Sequence, residues 1–534
     1  VQCGKTLWRA QLDVVWRDPQ GRGLARTTAT QRVPSGASTL SIPAPVLPVG
    51  RAFATMRVLV DGKVAGSACL PVEVQSQLGM ASIGLGQELY AADAPIAAGV
   101  EFTGTIPEKA TLDLALTNAF GHVVAQDSVA VPVGAGAMPI SLAVPPPLCV
   151  WHELTVKLRL DGQVLAVRRA EVFREWRRPY DDFSLVAWYG PSADAYYDRL
   201  VNQALRRAGV DTVYPSHVWG EDAAQRCVES VRAGLTVLPY ICAVRMPRNG
   251  KAPPHQRAPA VTDPAYQAEL VEQVRTTSRG FRPFCPSGYS LGDENYFGGS
   301  EGNELCTAPS SVVYFRNWLK AKYGTVGLLN KAWESDFAGF EQAQPVLVGD
   351  ARKQGNPAPW IDFRLATEQS WTDIFALLAR EIRTVDKGPL IGHEGSGNLS
   401  SFGGFDWWSM LRELDMFVPY PGRPSGGNLV RSLRNPGTMS SYWYGAYTFS
   451  SGGRRETTMR YFPWYSLFQG FNSAWYFNTI GHANMPHEVG FAADLRPLPH
   501  FVATSAACTE IKSGFDRLLL GSRRANDGIA IYYS

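Results

Sequence analysis

The chain has 534 residues, of which 45% are apolar and 19% charged, a globular composition that excludes wholesale disorder. One hydrophobic core cannot serve that length, so roughly two to four domains are expected. With 51 Lys and Arg against 48 Asp and Glu, the net charge is +3 and both signs are dispersed, so there is no basic groove for nucleic acid.

Residues 1 to 178 read as β structure. Short alternating runs, such as Arg57–Val60 and Leu154–Leu160, are punctuated by turn signals at Asp61-Gly62 and Asp161-Gly162. The two turns lie in similar settings, "VLVDGKVAGSA" and "LRLDGQVLAVR", which predicts two β-sandwich modules, 1–88 and 89–178. The Pro-rich stretches at 43–48 and 145–147 suit sandwich edges. Such modules brace a neighbouring catalytic domain.

After Arg178-Pro179 short apolar segments alternate with helical stretches. The predicted strands are 183–189, 212–215, 235–241, 288–292, 390–392, 416–420, 438–443 and 474–478. Predicted helices between them cover 196–208, 312–323, 360–385, 407–413 and 456–469. Eight such strands over residues 179–520 predict a (β/α)₈ TIM barrel. An open doubly wound sheet is the rival, but no Gly-rich phosphate loop follows any strand. Residues 521–534, ending Gly528-Ile-Ala-Ile-Tyr-Tyr-Ser534, read as the first strand of a further α/β domain. The start at Val1-Gln2-Cys3 reads as a processed or trimmed N-terminus, and an extracytoplasmic location is expected.

The eight Cys residues show no metal-ligand spacing, so neither a metal nor a cofactor is expected. Cys285 and Cys306 flank one loop and are compatible with a disulfide or with free thiols. No apolar run is long enough to span a membrane. The 15 Trp, 21 Tyr and 24 Phe concentrate after residue 183, which suits either a large core or platforms for the apolar faces of sugar rings.

Reactive groups in such a barrel project from the C-terminal ends of strands. The fourth strand ends in Asp293-Glu294-Asn295-Tyr296, the fifth in His393-Glu394-Gly395 and the sixth in Pro419-Tyr420-Pro421. The seventh ends in Tyr442-Trp443-Tyr444 and the eighth in Trp475-Tyr476-Phe477-Asn478, with His482 shortly after.

The stretch "LGDENYFGG…ELCTAPSSVVYFRNWLKAKYGTVGLLNKAW" resembles the clan A β-galactosidases of glycoside hydrolase family 42. The similarity is most specific from Phe315 to Trp333 and continues through "FDWWSMLRELDMFVPYP" and "YSLFQGFNSAWYFN", so that it spans about residues 183–534. It implies a glycosidase acting on a carbohydrate, with Glu294 in the place of the family's acid/base. The resemblance also implies a homo-oligomer. Cleaving a glycosidic bond takes two carboxyl groups, one to protonate the leaving oxygen and one to attack or to activate water.

The family's second carboxylate, a Glu ending the seventh strand, has no counterpart in Ser441-Tyr442-Trp443-Tyr444. Three expectations follow: Glu394 supplies it, an activated phenol such as Tyr442 replaces it, or the barrel binds sugar without cleaving it. Asp293, beside Glu294, is a further catalytic candidate. Trp188, His217, Trp219, Tyr240, Asn295, His393, Tyr420, Trp443, Trp475, Asn478 and His482 are the candidates for holding sugar.

Overall fold

The computed structural model describes residues 2–528 apart from 20, 193, 245–252, 296, 299, 302, 396–400, 421–423, 436, 446–455, 481–488, 524 and 526–527. The chain divides into two compact units, Val1–Glu175 and Trp176–Ser534.

The first unit is antiparallel β structure. One four-stranded sheet runs in the order Gly23–Val33, Leu7–Arg17, Gly50–Val60, Lys63–Val74. A second runs Val123–Ala130, Thr111–Asn118, Trp151–Leu160, Gln163–Phe173, and a three-stranded sheet runs Ala137–Leu142, Ile96–Thr103, Gly79–Leu85. Thr111–Asn118 and Ile96–Thr103 bury every second residue, as a strand with one face on a core must. Leu112, Leu114, Leu116, Leu154 and Val156 from one sheet join Val100, Ile140 and Met80 from the other in a single buried cluster.

Both Asp-Gly turns form as predicted. Asp61 and Gly62 take φ of 49° and 75°, Asp161 and Gly162 of 49° and 81°, the positive pair that a two-residue I′ hairpin requires. The boundary at residue 88 needs correction. Gly79–Leu85 pairs with Ile96–Thr103, so it belongs with the later strands.

In the second unit the strands are parallel and nearly all buried. Their order is Ser184–Tyr189, Thr212–Pro215, Thr236–Val237, Gly288–Asp293, Leu390–Glu394, Met416–Val418, a seventh in two segments (Met439–Ser440 and Trp443–Gly445), and Ser473–Phe477. Near-continuous apolar strands of this kind are what a parallel sheet covered on both faces demands. Each strand pairs with the next. A single parallel bridge, Tyr240 to Ser290, links the third to the fourth, and the eighth pairs with the first. The pairings therefore return to where they began.

Helices follow the strands with capping that the sequence dictates. Asp194 accepts from the amides of Tyr196 and Tyr197 ahead of Ala195–Arg207. Asp263 accepts from Ala265 ahead of Pro264–Phe281, which begins on the proline. The family-like segment 315–333 proves to be scaffold. Lys322, Tyr323 (2.7 Å) and Trp333 (2.8 Å) all donate to the buried carboxylate of Asp362 on the helix Ala358–Val385.

None of the eight cysteines is in a disulfide, so Cys285 and Cys306 form no bridge. Among the described residues no helix is long and apolar enough to cross a membrane, and no group of three His, Cys, Asp or Glu is placed to hold a metal ion. Most of the expected terminal strand within 521–534 lies outside the described residues.

Candidate active site

The fourth strand ends with Asp293 and hands over to Glu294, whose φ of 52° is left-handed. That turn of the backbone breaks the strand's alternation, so Asp293 and Glu294 turn toward one common hydroxyl instead of opposite faces. Tyr420, after the sixth strand, donates its hydroxyl to Glu294 Oε1 at 2.9 Å and lies 3.4 Å from Asp293 Oδ1. Both carboxylates are half-buried and Tyr420 is exposed. These three predicted residues are brought together.

Glu394 ends the fifth strand directly beside them. It is the register partner of Asp293, and its carbonyl accepts from the Glu294 amide at 3.0 Å. Gly395 follows with φ of 74°, and a Cβ there would lie 1.8 Å from Asp293 Oδ1. Only glycine leaves room for that carboxylate. The Glu394 side chain is fully enclosed. Ser290 Oγ donates at 2.8 Å to each of its oxygens, and the Tyr214 hydroxyl donates to Oε1. Burial first, then the charges of Glu394 and Asp293, push the Tyr214 phenol well above its usual range, so it stays a donor. Tyr214 and Ser290 were not among the sequence candidates. Tyr214 near the end of the second strand was within reach of the strand-end rule, whereas Ser290, three residues back from Asp293, carried no signal.

Tyr214 also belongs to an aromatic assembly. Trp188 sits 4.9 Å from Tyr214 and 5.4 Å from Trp443, and Trp443 sits 5.0 Å from Trp475, edge to face. Trp188, Trp443 and Trp475 are only 5%, 2% and 0% exposed. Expected as stacking platforms, they instead pack on one another. Among the described candidates, Tyr420 at 39% and Trp219 at 38% are open to solvent, with His217 exposed beside Trp219 and enclosed Tyr240.

Four candidates fall elsewhere. His393 is buried in a cage of Phe375, Phe405 and Phe417, and neither ring nitrogen has a hydrogen-bond partner among the described residues. Burial lowers its pKa to about 3, so it is a neutral core residue. Tyr442 stacks on Tyr465 at 5.3 Å and contacts Phe471; burial pushes its phenol up, away from the ionisation a nucleophile needs. Asn295 is buried and donates back to the Leu291 and Gly292 carbonyls. Asn478 is also buried, and its side-chain amide has no partner among the described residues. His482 lies outside the described residues.

Residues 294–426 match the model of glycoside hydrolase family 42, described as beta-galactosidase. The chain resembles the family 42 β-galactosidases. Curated relatives include the beta-galactosidase BgaA of a Thermus sp., 29% identical over 173 residues that cover 31% of this chain and 25% of that protein. Another is the beta-galactosidase LacZ of Heyndrickxia coagulans, 25% identical over 114 residues that cover 21% of this chain and 17% of that protein. The aligned stretch thus spans a quarter or less of those relatives' own length. Among solved structures, a beta-galactosidase from the psychrophilic Marinomonas ef1 shows 16% identity and a TM-score of 0.49, covering 62% of this chain and 59% of that one. The catalytic domain of a beta-amylase from Paenibacillus polymyxa shows 13% and 0.48, covering 63% of this chain and all of that one.

Proposed function

We propose that this protein is a glycoside hydrolase that cleaves an O-glycosidic bond in a β-galactosidase-like manner. The second unit is read as a (β/α)₈ TIM barrel, because its eight parallel strands pair in sequence and back to the first. The first unit is read as β-sandwich structure, because two of its sheets share one core. Glu294 is the general acid/base. The observation that carries this is its half-buried carboxylate at the end of the fourth strand, held by the Tyr420 hydroxyl and adjoined by Asp293 and Glu394.

Glu394 is assigned as the second carboxylate. Ser290 and Tyr214 donate to it, which fixes the orientation of its carboxylate in the enclosed site. Asp293 adds a third carboxyl group beside them, as the register partner of Glu394.

Turnover of alkyl glycosides and oligosaccharides, whose leaving groups need a proton, by the wild type, Glu294→Gln, Glu394→Gln and Asp293→Asn tests the assignment. Glu294→Gln and Glu394→Gln each should lower kcat/KM by about 10²–10⁴ or more, and Asp293→Asn by much less. Undiminished turnover in Glu294→Gln overturns it.

A second reading, a barrel that binds sugar without cleaving it, is favoured by two observations. The Glu394 carboxylate is closed off from solvent, and the seventh-strand segment Trp443–Gly445 bears no acid. It predicts measurable sugar affinity with no turnover.

A further inference from the structure

A cavity of about 630 Å³ lies beside the strand ends, lined by Trp219, Gly220, Ala243, Glu272, Gln273 and Thr276. Its size falls within the ~300–1,000 Å³ range of small-molecule sites. None of its polar groups belongs to the carboxylate set around Glu294.

One wall is the loop after the second strand, and three anchors hold it. Val218 donates its amide to the Tyr240 carbonyl at 3.1 Å, and Gly220 donates to Thr277 Oγ1 at 3.0 Å. The Trp219 ring meets Tyr240 edge to face at 5.6 Å. Trp219 is thus fixed in place while more than a third of it faces solvent. The opposite wall is the helix Pro264–Phe281. There Thr276 donates to Glu272 Oε1 at 2.8 Å, and the Gln273 amide donates to the Ile241 carbonyl at 3.0 Å. Both long polar side chains are pre-oriented, which lowers the entropy cost of binding.

An indole opposite a carboxylate, an amide and a hydroxyl suits a ligand with an apolar face and hydroxyl edges. Among the described residues no basic side chain lines the cavity, and Glu272 disfavours an anion, so a neutral ligand with hydroxyl edges suits it. Tyr240, which backs Trp219, also contacts Trp188 at 6.4 Å and Tyr214 at 6.1 Å, so one ring separates the cavity from the residues around Glu394. We propose that this cavity is a second carbohydrate subsite, which holds a neutral pyranose of the same glycan away from the cleaved bond. The proposal rests on the glycosidase reading.

Calorimetric titration on the Glu294→Gln background tests it, with neutral β-linked galacto-, gluco- and xylo-oligosaccharides from disaccharide to hexasaccharide. Affinity for the series that binds should rise at least about tenfold with length. Trp219→Ala should erase that gain. So should Thr276→Trp, which fills the cavity and leaves Trp219 in place, so a folding defect in one variant does not decide the outcome. A gain that persists in both folded variants overturns the subsite, as does an affinity of the parent Glu294→Gln protein that does not change with length. Failure of the glycosidase reading shows separately, as wild-type protein that leaves every bound oligosaccharide of the panel intact.

Discussion

At the level of single residues, neighbours on one strand have opposite fates. His393 and Glu394 were both strand-end candidates, yet a strand turns adjacent side chains to opposite faces, and His393 ends among Phe375, Phe405 and Phe417. Because burial lowers the His393 pKa from 6.5 to about 3, the folded chain refuses a proton that the unfolded chain accepts. Its contribution is therefore present above pH 6.5 and is lost as pH falls toward 3. Replacing it by Leu should remove that loss. Between pH 7 and pH 4.5, urea unfolding should show the wild type losing roughly 2–3 kcal/mol more than His393→Leu. Equal losses would mean that His393 is already charged in the fold. Alternation also explains Tyr442 against Trp443, and applying it strictly to the sequence would have removed both His393 and Tyr442. It would not have found the pairing of Asp293 with Glu294, which depends on the left-handed φ of 52° at Glu294.

At the level of elements, most segments were legible because burial and capping are local. The helix Trp407–Glu413 forms as predicted, behind the Asp406 cap. The third strand was read over 235–241 but is regular strand only at Thr236–Val237; Pro239 has no amide to donate, and beyond it Tyr240 donates to the Pro215 carbonyl and Ile241 to that of Ser290. The helix Pro264–Phe281, which carries one wall of the proposed subsite, was not among the predicted segments, although Asp263-Pro264 is a standard start signal. The motif at Phe315–Trp333 was legible as a family mark, but its physical role was not. Asp362, 2% exposed at its side chain, gathers Lys322, Tyr323 and Trp333. Asp362→Ala strands all three donors and should cost about 3–5 kcal/mol in urea unfolding, with little change in the KM of the folded fraction. A loss below about 1 kcal/mol would deny the knot a structural role.

At the level of the whole molecule, the parallel order of eight buried strands was readable because apolar runs and helices alternate along the second unit. The module boundary in the first unit was not readable. Local turns reveal hairpins such as Val60–Lys63, but the partner of Gly79–Leu85 is fixed by a shared core. The likeness to family 42 falls on residues 294–426, which begin at the proposed acid and end beyond Tyr420. What joins these scales is the proposed donation of a proton by Glu294 to the departing oxygen. The dependence of kcat/KM on the leaving group, compared between wild type and Glu294→Ala, measures it most directly. A leaving group of low pKa, such as 2,4-dinitrophenol, departs without a proton, so the variant should cleave it nearly as well as the wild type. Alkyl or sugar leaving groups should suffer by about 10²–10⁴. An equal loss for every leaving group, or none for any, would contradict the role of Glu294.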